Sequence, residues 1–381
     1  MKLKTFVILV IIAIVLSLGG YMLIHFQKGH PSEMLMGQLL FKDFPGERIT
    51  MVTIQGPNDS VILKKLEDQW VVQSRLNYPA DLEKLSGLVR KLKEAKIGRV
   101  FESNEGSLKR LALIDPTNEE STREERGLKI IFRDEKDKEL KNLIVGKSRE
   151  TGDQRGAAEG QYLMLKGDTK IYLIDQDFSN LEAIPLEWLE KKLVDVQADD
   201  VKSILCHSLD GKKAEYHFER PEKGKDFEAV QFPAGKKINK SALSQLSRAL
   251  ASFNMENIVD PSSLSKSPIK MSKQIEYGLF NGLIYRIIPG DTCAKDDSCY
   301  LKIEVAYQKP PVQAEGKSEV QGEKKEDQEK KEVQKDLSQE ALKLNERFQP
   351  WTYIIPSWKK DALITDVDKL VEKEEKQKDK K

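Results

Sequence analysis

The chain has 381 residues, 33% of them charged and 39% hydrophobic, and its 63 basic and 62 acidic side chains leave a net charge of +1. That length suits two domains of roughly 100–200 residues each. So even a balance, with Lys and Arg interspersed among Glu and Asp, argues against the basic face of a nucleic-acid binder, and no nucleic-acid partner is expected.

The N-terminal run FVILVIIAIVLSLGGYMLIHF, Phe6 to Phe26, carries no Asp, Glu, Lys or Arg. About 20 apolar residues in a helix cross a hydrocarbon core, and a helix satisfies its own backbone there. Lys2 and Lys4 precede the run, which favours a cytoplasmic tail over residues 1–5. The reading is an uncleaved transmembrane signal anchor over residues 6–26. It would hold a single-pass protein in the inner (cytoplasmic) membrane, in contact with the lipid bilayer, with the bulk of the chain on the periplasmic side. The rival is a cleaved secretory signal ending near Ser17-Leu18-Gly19, but the apolar run continues past it through Ile24.

After a connector over residues 27–46, GERITMVTIQG and VILKKLEDQWVVQ read as strands around a turn at Pro57-Asn58-Asp59. Asp81 is a good helix N-cap, and Leu85, Leu88 and Leu92 follow as one apolar stripe. LKIIFRD, ELKNLIVG, GQYLMLKG and TKIYLID are further strands, and PLEWLEKKLV reads as a closing helix carrying Leu186, Leu189 and Leu193.

The helical block then returns. At one fixed offset Val72-Gln73 meets Val230-Gln231, Asp81 meets Asn239, and Leu85, Leu88 and Leu92 meet Leu243, Leu246 and Leu250. Ser86 and Arg90 meet Ser244 and Arg248, and Val100-Phe101 meets Ile258-Val259 without a gap. Two amphipathic helices always share a period, but matching caps, a shared polar Arg and an ungapped register point to internal duplication. Strands mixed with helices, without strict βαβ alternation, predict an α+β fold. It would comprise the N-terminal transmembrane helix and two tandem α+β units with mainly antiparallel sheets, over 47–196 and 197–371. Within the second unit, VKSILCHSLDGKKAEYHFER is a hairpin around Asp210-Gly211. Residues 309–336, rich in Glu, Lys and Gln, are expected to be a disordered insertion or a frayed solvent-facing helix, and 372–381 a charged tail.

The search for chemistry is mostly negative. Gly146-Lys147-Ser148 ends like a phosphate loop, but position 141, where its first Gly belongs, is Lys. Cys206 and His207 are neighbours on a strand, so their side chains point to opposite faces; Cys206 reads as a buried small hydrophobe. His217 alternates in a strand, and Asp199-Asp200 is one acidic pair among many. Trp188, Trp351 and Trp358 read as core or edge packing, with carbohydrate stacking as the functional alternative. No catalytic, cofactor-binding or metal residues are assigned, and no enzyme is expected. Cys293 and Cys299 frame CAKDDSC between two strand-like runs. In an oxidising compartment they would close a ring worth about 2 kcal/mol; free thiols and a metal pair are the other readings.

Trp70, Ala80-Asp81 and the stripe from Leu85 to Leu92, together with Tyr277-Gly278-Leu279, resemble the bacterial domain of unknown function 4340 family. The second copy departs from the pattern: it lacks the Trp and has Ile238-Asn239 for Ala-Asp. The resemblance implies no known activity. Some relatives lie beside components of gliding-type ABC transporters, which implies an accessory or scaffold protein binding a protein partner of a transport or envelope complex. The alternative is a glycan- or small-molecule-binding module.

Overall fold

A computed structural model describes residues 35–150, 158–211, 213–260, 262, 269–309 and 323–373. The chain divides between Glu190 and Lys191 into two compact units.

The first unit contains β1 (Met51–Gln55), β2 (Ser60–Leu66), β3 (Gln69–Val72), β4 (Tyr78–Pro79), helix α1 (Leu82–Glu94) and β5 (Ile97–Glu102). The short helix α2 (Glu105–Arg110), β6 (Leu128–Arg133), β7 (Glu139–Glu150), β8 (Ala158–Leu165) and β9 (Lys170–Ile174) follow. The strands form one antiparallel sheet in the order β4-β3-β2-β1-β6-β7-β8-β9-β5. Period-two alternation sets its inner face: Val52 and Ile54 of β1 and Val61 and Leu63 of β2 are wholly buried, while their neighbours are not. Helix α1 starts where Asp81 accepts a hydrogen bond from Lys84 N at 2.8 Å. Its stripe of Leu85, Leu88 and Leu92 is buried, each worth about 1.5–3 kcal/mol relative to exposure.

The second unit contains β10 (Lys192–Val194), β11 (Val201–Ser208), β12 (Ala214–Glu219), β13 (Glu228–Gln231), helix α3 (Lys240–Ser247), β14 (Phe253–Asn254) and β15 (Asn257–Ile258). It continues with β16 (Lys273–Leu279), β17 (Leu283–Pro289), β18 (Ser298–Tyr307), helix α4 (Glu323–Phe348), β19 (Tyr353–Pro356) and helix α5 (Ser357–Ala362). Its main sheet has the order β13-β12-β11-β16-β17-β18-β19-β15, beside a small sheet of β10 and β14. Apart from β4, the main sheet repeats the first unit strand for strand.

The correspondence reaches single hydrogen bonds. Asn239 caps α3 by accepting from Ala242 N at 3.1 Å, as Asp81 caps α1. Asp81 N donates to Trp188 O and Asn239 N to Leu370 O, each at 2.8 Å. Glu190 N donates to Pro79 O and Glu372 N to Lys237 O. In each unit a buried side chain, Trp188 or Leu370, thus sits where the closing segment ties down the start of the helix.

Three expectations are corrected. The α+β balance gives way to a mostly antiparallel β architecture of three sheets with few helices. PLEWLEKKLV is not a helix: a 3-10 turn over Pro185–Trp188 precedes β10, because the backbone around Trp188 is engaged in pairing with the head of α1. The unit boundary lies at 190/191 rather than 196/197, since β10 pairs with β14 of the second unit. Of the segment over 309–336, expected as a disordered insertion or a frayed solvent-facing helix, the part from Glu323 lies in α4. Residues 310–322 lie outside the described residues, but α4 begins at Glu323 and is held at its far end by Ala341 and Phe348, both buried, and by Asn345 Oδ1, which accepts from Val305 N at 3.0 Å.

The transmembrane helix expected over residues 6–26, and the inner-membrane location built on it, find no support among the described residues, which do not include that run. No helix among the described residues is long and apolar enough to cross a membrane. The longest, α4, has the length but carries charge along its whole sequence. Residues 6–26 lie outside the described residues.

Candidate functional site

Helix α3 turns Leu243 and Leu246 inward, and the chain beyond it buries Leu250 and Phe253. Its outer side and last turn leave a groove of about 590 Å³, lined by Ser244, Arg248 and Phe253 on one wall and by Trp358, Lys359 and Ala362 of α5 on the other. Pro356 breaks β19, and Ser357 Oγ donates to Asp297 Oδ2 at 2.7 Å, so α5 starts from a fixed point. Lys359 Nζ donates to Asn254 O at 2.6 Å and lies 5.5 Å from the Phe253 ring centroid and 5.2 Å from that of Trp358. Burial draws the Lys359 amine below its usual pKa, against the opposing field of Glu256. Trp358 itself is 65% exposed. An exposed indole, an Arg and a partly desolvated Lys thus share one groove, whose walls hold no carboxylate.

Ser244 and Arg248 also line a second cavity, of about 350 Å³, on the other side of the helix. There Arg220, delivered by the end of β12, is 6% exposed and lies flat on the Phe227 ring at 3.8 Å.

The residues singled out in the sequence scatter elsewhere. Cys206 is buried beside Tyr216 and Tyr277, and burial pushes its thiol up to about 12. His207, on the opposite face of β11, meets Gln274 Nε2 at 2.9 Å and the Glu276 carboxylate at 3.3 Å. Arg286 Nε binds the same carboxylate at 3.1 Å, making a polar patch on three adjacent strands. His217 lies in β12 opposite Gln231. Gly146-Lys147-Ser148 lies within β7, where a Cβ on Gly146 would collide with Leu111 O. Backbone contact therefore accounts for that glycine. Cys293 and Cys299 are joined as a disulfide across the β17–β18 connection. No cluster of three or more His, Cys, Asp or Glu able to hold a metal occurs among the described residues.

Two aromatics part company. Trp188 is wholly buried, with its indole N–H donating to Glu182 O at 2.8 Å. Trp358, read as packing, is instead the most exposed large hydrophobic residue among those described. The available signal was its setting in Pro-Ser-Trp-Lys-Lys, a turn residue and two lysines rather than an apolar run. Asp199, uninformative in the sequence, proves to stand 3.8 Å from the Arg220 guanidinium.

Fold and groove together define a duplicated antiparallel β protein with an open, cationic, aromatic surface in its second unit. The chain belongs to the family described as Domain of unknown function (DUF4340), whose model matches residues 70–273, more than half of the chain. That segment runs from β3 of the first unit to the start of β16 in the second. No curated protein and no solved structure matches the chain.

Proposed function

We propose that this protein works by binding rather than by chemistry, and that the groove between α3 and α5 takes an acidic segment of a protein partner. The observation that carries this is Trp358, 65% exposed beside Arg248 and Lys359 in a groove without a lining carboxylate. Trp and Arg dominate the residues whose truncation weakens protein interfaces most, because a rigid ring or a planar fork loses little freedom when covered. The occupant that complements the groove offers carboxylates to Arg248 and Lys359 and an apolar side chain to the indole face. A component of a transport complex is the partner that the family resemblance brings forward.

The test is photo-crosslinking from position 358, with benzoylphenylalanine replacing the Trp in the full chain in its native cells. Position 209, an exposed Leu outside the groove, serves as control. A discrete protein adduct from 358 alone, weakened when Arg248→Glu is added, supports the proposal. Equal adducts from both positions, no protein adduct from 358, or an adduct only to this chain's own charged segments would overturn it.

A further inference from the structure

The cavity around Arg220 presents a different kind of site. Arg220 N donates to Lys202 O at 2.9 Å, which fixes the residue at the end of β12. Its guanidinium is covered on one face by Phe227, and its Nε, buried, has no hydrogen-bond partner. The Asp199 carboxylate stays 3.8 Å from Nη1, beyond hydrogen-bond reach, and is itself 80% exposed. Burial is the main influence drawing the Arg220 pKa below its usual value, with Asp199 and Asp226 opposing it. A buried donor on a cation is expensive to leave unmet, so such groups are normally paired. Around it the cavity wall holds Lys225, Lys240 and Arg248 against Asp199 and Asp226, and positive charge is in excess.

A purely structural role for Arg220 can be weighed against the other copy of the same fold. Lys65 N donates to Thr50 O at 2.8 Å, so Lys65 holds the place in the first unit that Arg220 holds in the second. Lys65 reaches outward, 39% exposed, with Asp68 at 3.9 Å. The equivalent cavity, of about 490 Å³, is walled by Trp70, Leu82 and Val89 together with Arg90, Lys93 and Glu94. At the fixed offset Leu82 becomes Lys240 and Val89 becomes Ser247, while Ser86 and Arg90 persist as Ser244 and Arg248. The architecture therefore forms without a buried guanidinium at this place. The second unit adds Arg220 and Lys240 to the arginine that both cavities share.

We propose that the cavity of Arg220, Lys240 and Arg248 is a binding site for one oxyanion group, a phosphate or a carboxylate, held on the Arg220 guanidinium. A planar fork suits both groups, because each offers two oxygens at matching spacing. Trp358 and Lys359 do not line this cavity, whereas Arg248 lines both it and the groove, so the variants that test the site leave Arg248 in place.

Calorimetric titration of the full chain with inorganic phosphate and, separately, with acetate tests it and separates the two sources. At least one anion is expected to saturate a single site. Arg220→Lys should weaken that binding by roughly tenfold, since a point charge replaces the fork. Lys240→Ala, at a surface position, should weaken it too, and Lys65→Ala in the first unit should not. Arg220→Met should abolish binding while leaving the thermal midpoint equal or higher, because the unpaired cation is gone. Failure of both anions to saturate, or binding unchanged in Lys240→Ala and Arg220→Lys, would overturn the site. So would a midpoint that falls in Arg220→Met as far as in Leu246→Ala, which would make Arg220 a packing residue.

Discussion

Replacing Trp358 by Ala isolates the groove from the fold. An aromatic side chain of this size offers about 250 Å², and at 65% exposure about 160 Å² of Trp358 is open to a partner. At about 25 cal/mol per Å² its coverage is worth about 4 kcal/mol at most. Ordering the side chain takes back about 0.5–1.5 kcal/mol. The remainder, about 3 kcal/mol, corresponds to a roughly 100-fold weaker Kd. The assay is titration of the purified partner identified by crosslinking at position 358 against the parent and Trp358→Ala chains, with urea unfolding of both in parallel. Folding stability should move by no more than about 0.5 kcal/mol, because little of the ring is buried. A change in Kd of less than about threefold, with the fold intact, would refute the assignment of Trp358 as the anchor.

Leu92→Ala and Leu250→Ala remove wholly buried side chains at equivalent positions of the two units, and each should cost about 2–5 kcal/mol in urea unfolding; markedly unequal losses would argue against equivalent cores. Gly146→Ala should cost about 1–3 kcal/mol or more through its clash with Leu111 O, with no change in nucleotide binding by calorimetry. Cys206 should resist iodoacetamide in the native protein at pH 8 and react only on unfolding, since it is wholly buried and its thiol is pushed up to about 12; native labelling would contradict its placement. Burial pushes the Asp115 carboxyl up, but Lys129 at 2.8 Å and the Thr117 donors outweigh it and hold it below the usual range. Its contribution to stability is therefore present above the unfolded carboxylate pKa and fades as pH falls through the lower folded one. The acid side of a plot of thermal midpoint against pH should be shallower in Lys129→Met, and an unchanged slope would show the pair to be inert.

The two helical blocks show how far the sequence alone reaches. Asp81 and Asn239, each ahead of three leucines at helical spacing, determine a capped helix with one buried stripe, because cap and stripe are both local properties of consecutive residues. The hairpin at Asp210-Gly211 and the opposite facing of Cys206 and His207 are equally local: turn chemistry and the period of two settle them. PLEWLEKKLV obeys a helical period just as well, yet its backbone is taken up by the head of α1 some hundred positions earlier in the chain, a competition that no window of neighbouring residues contains. Trp358 and Arg220 carry the same lesson for function. Their residue types are ordinary in sequence, and only the packing of α3 against its surroundings leaves an indole uncovered and the Nε of a buried guanidinium without a partner. Exposure and burial are sums over contacts distant in the chain, so tertiary structure alone decided which Trp faces water and which Arg lines a cavity.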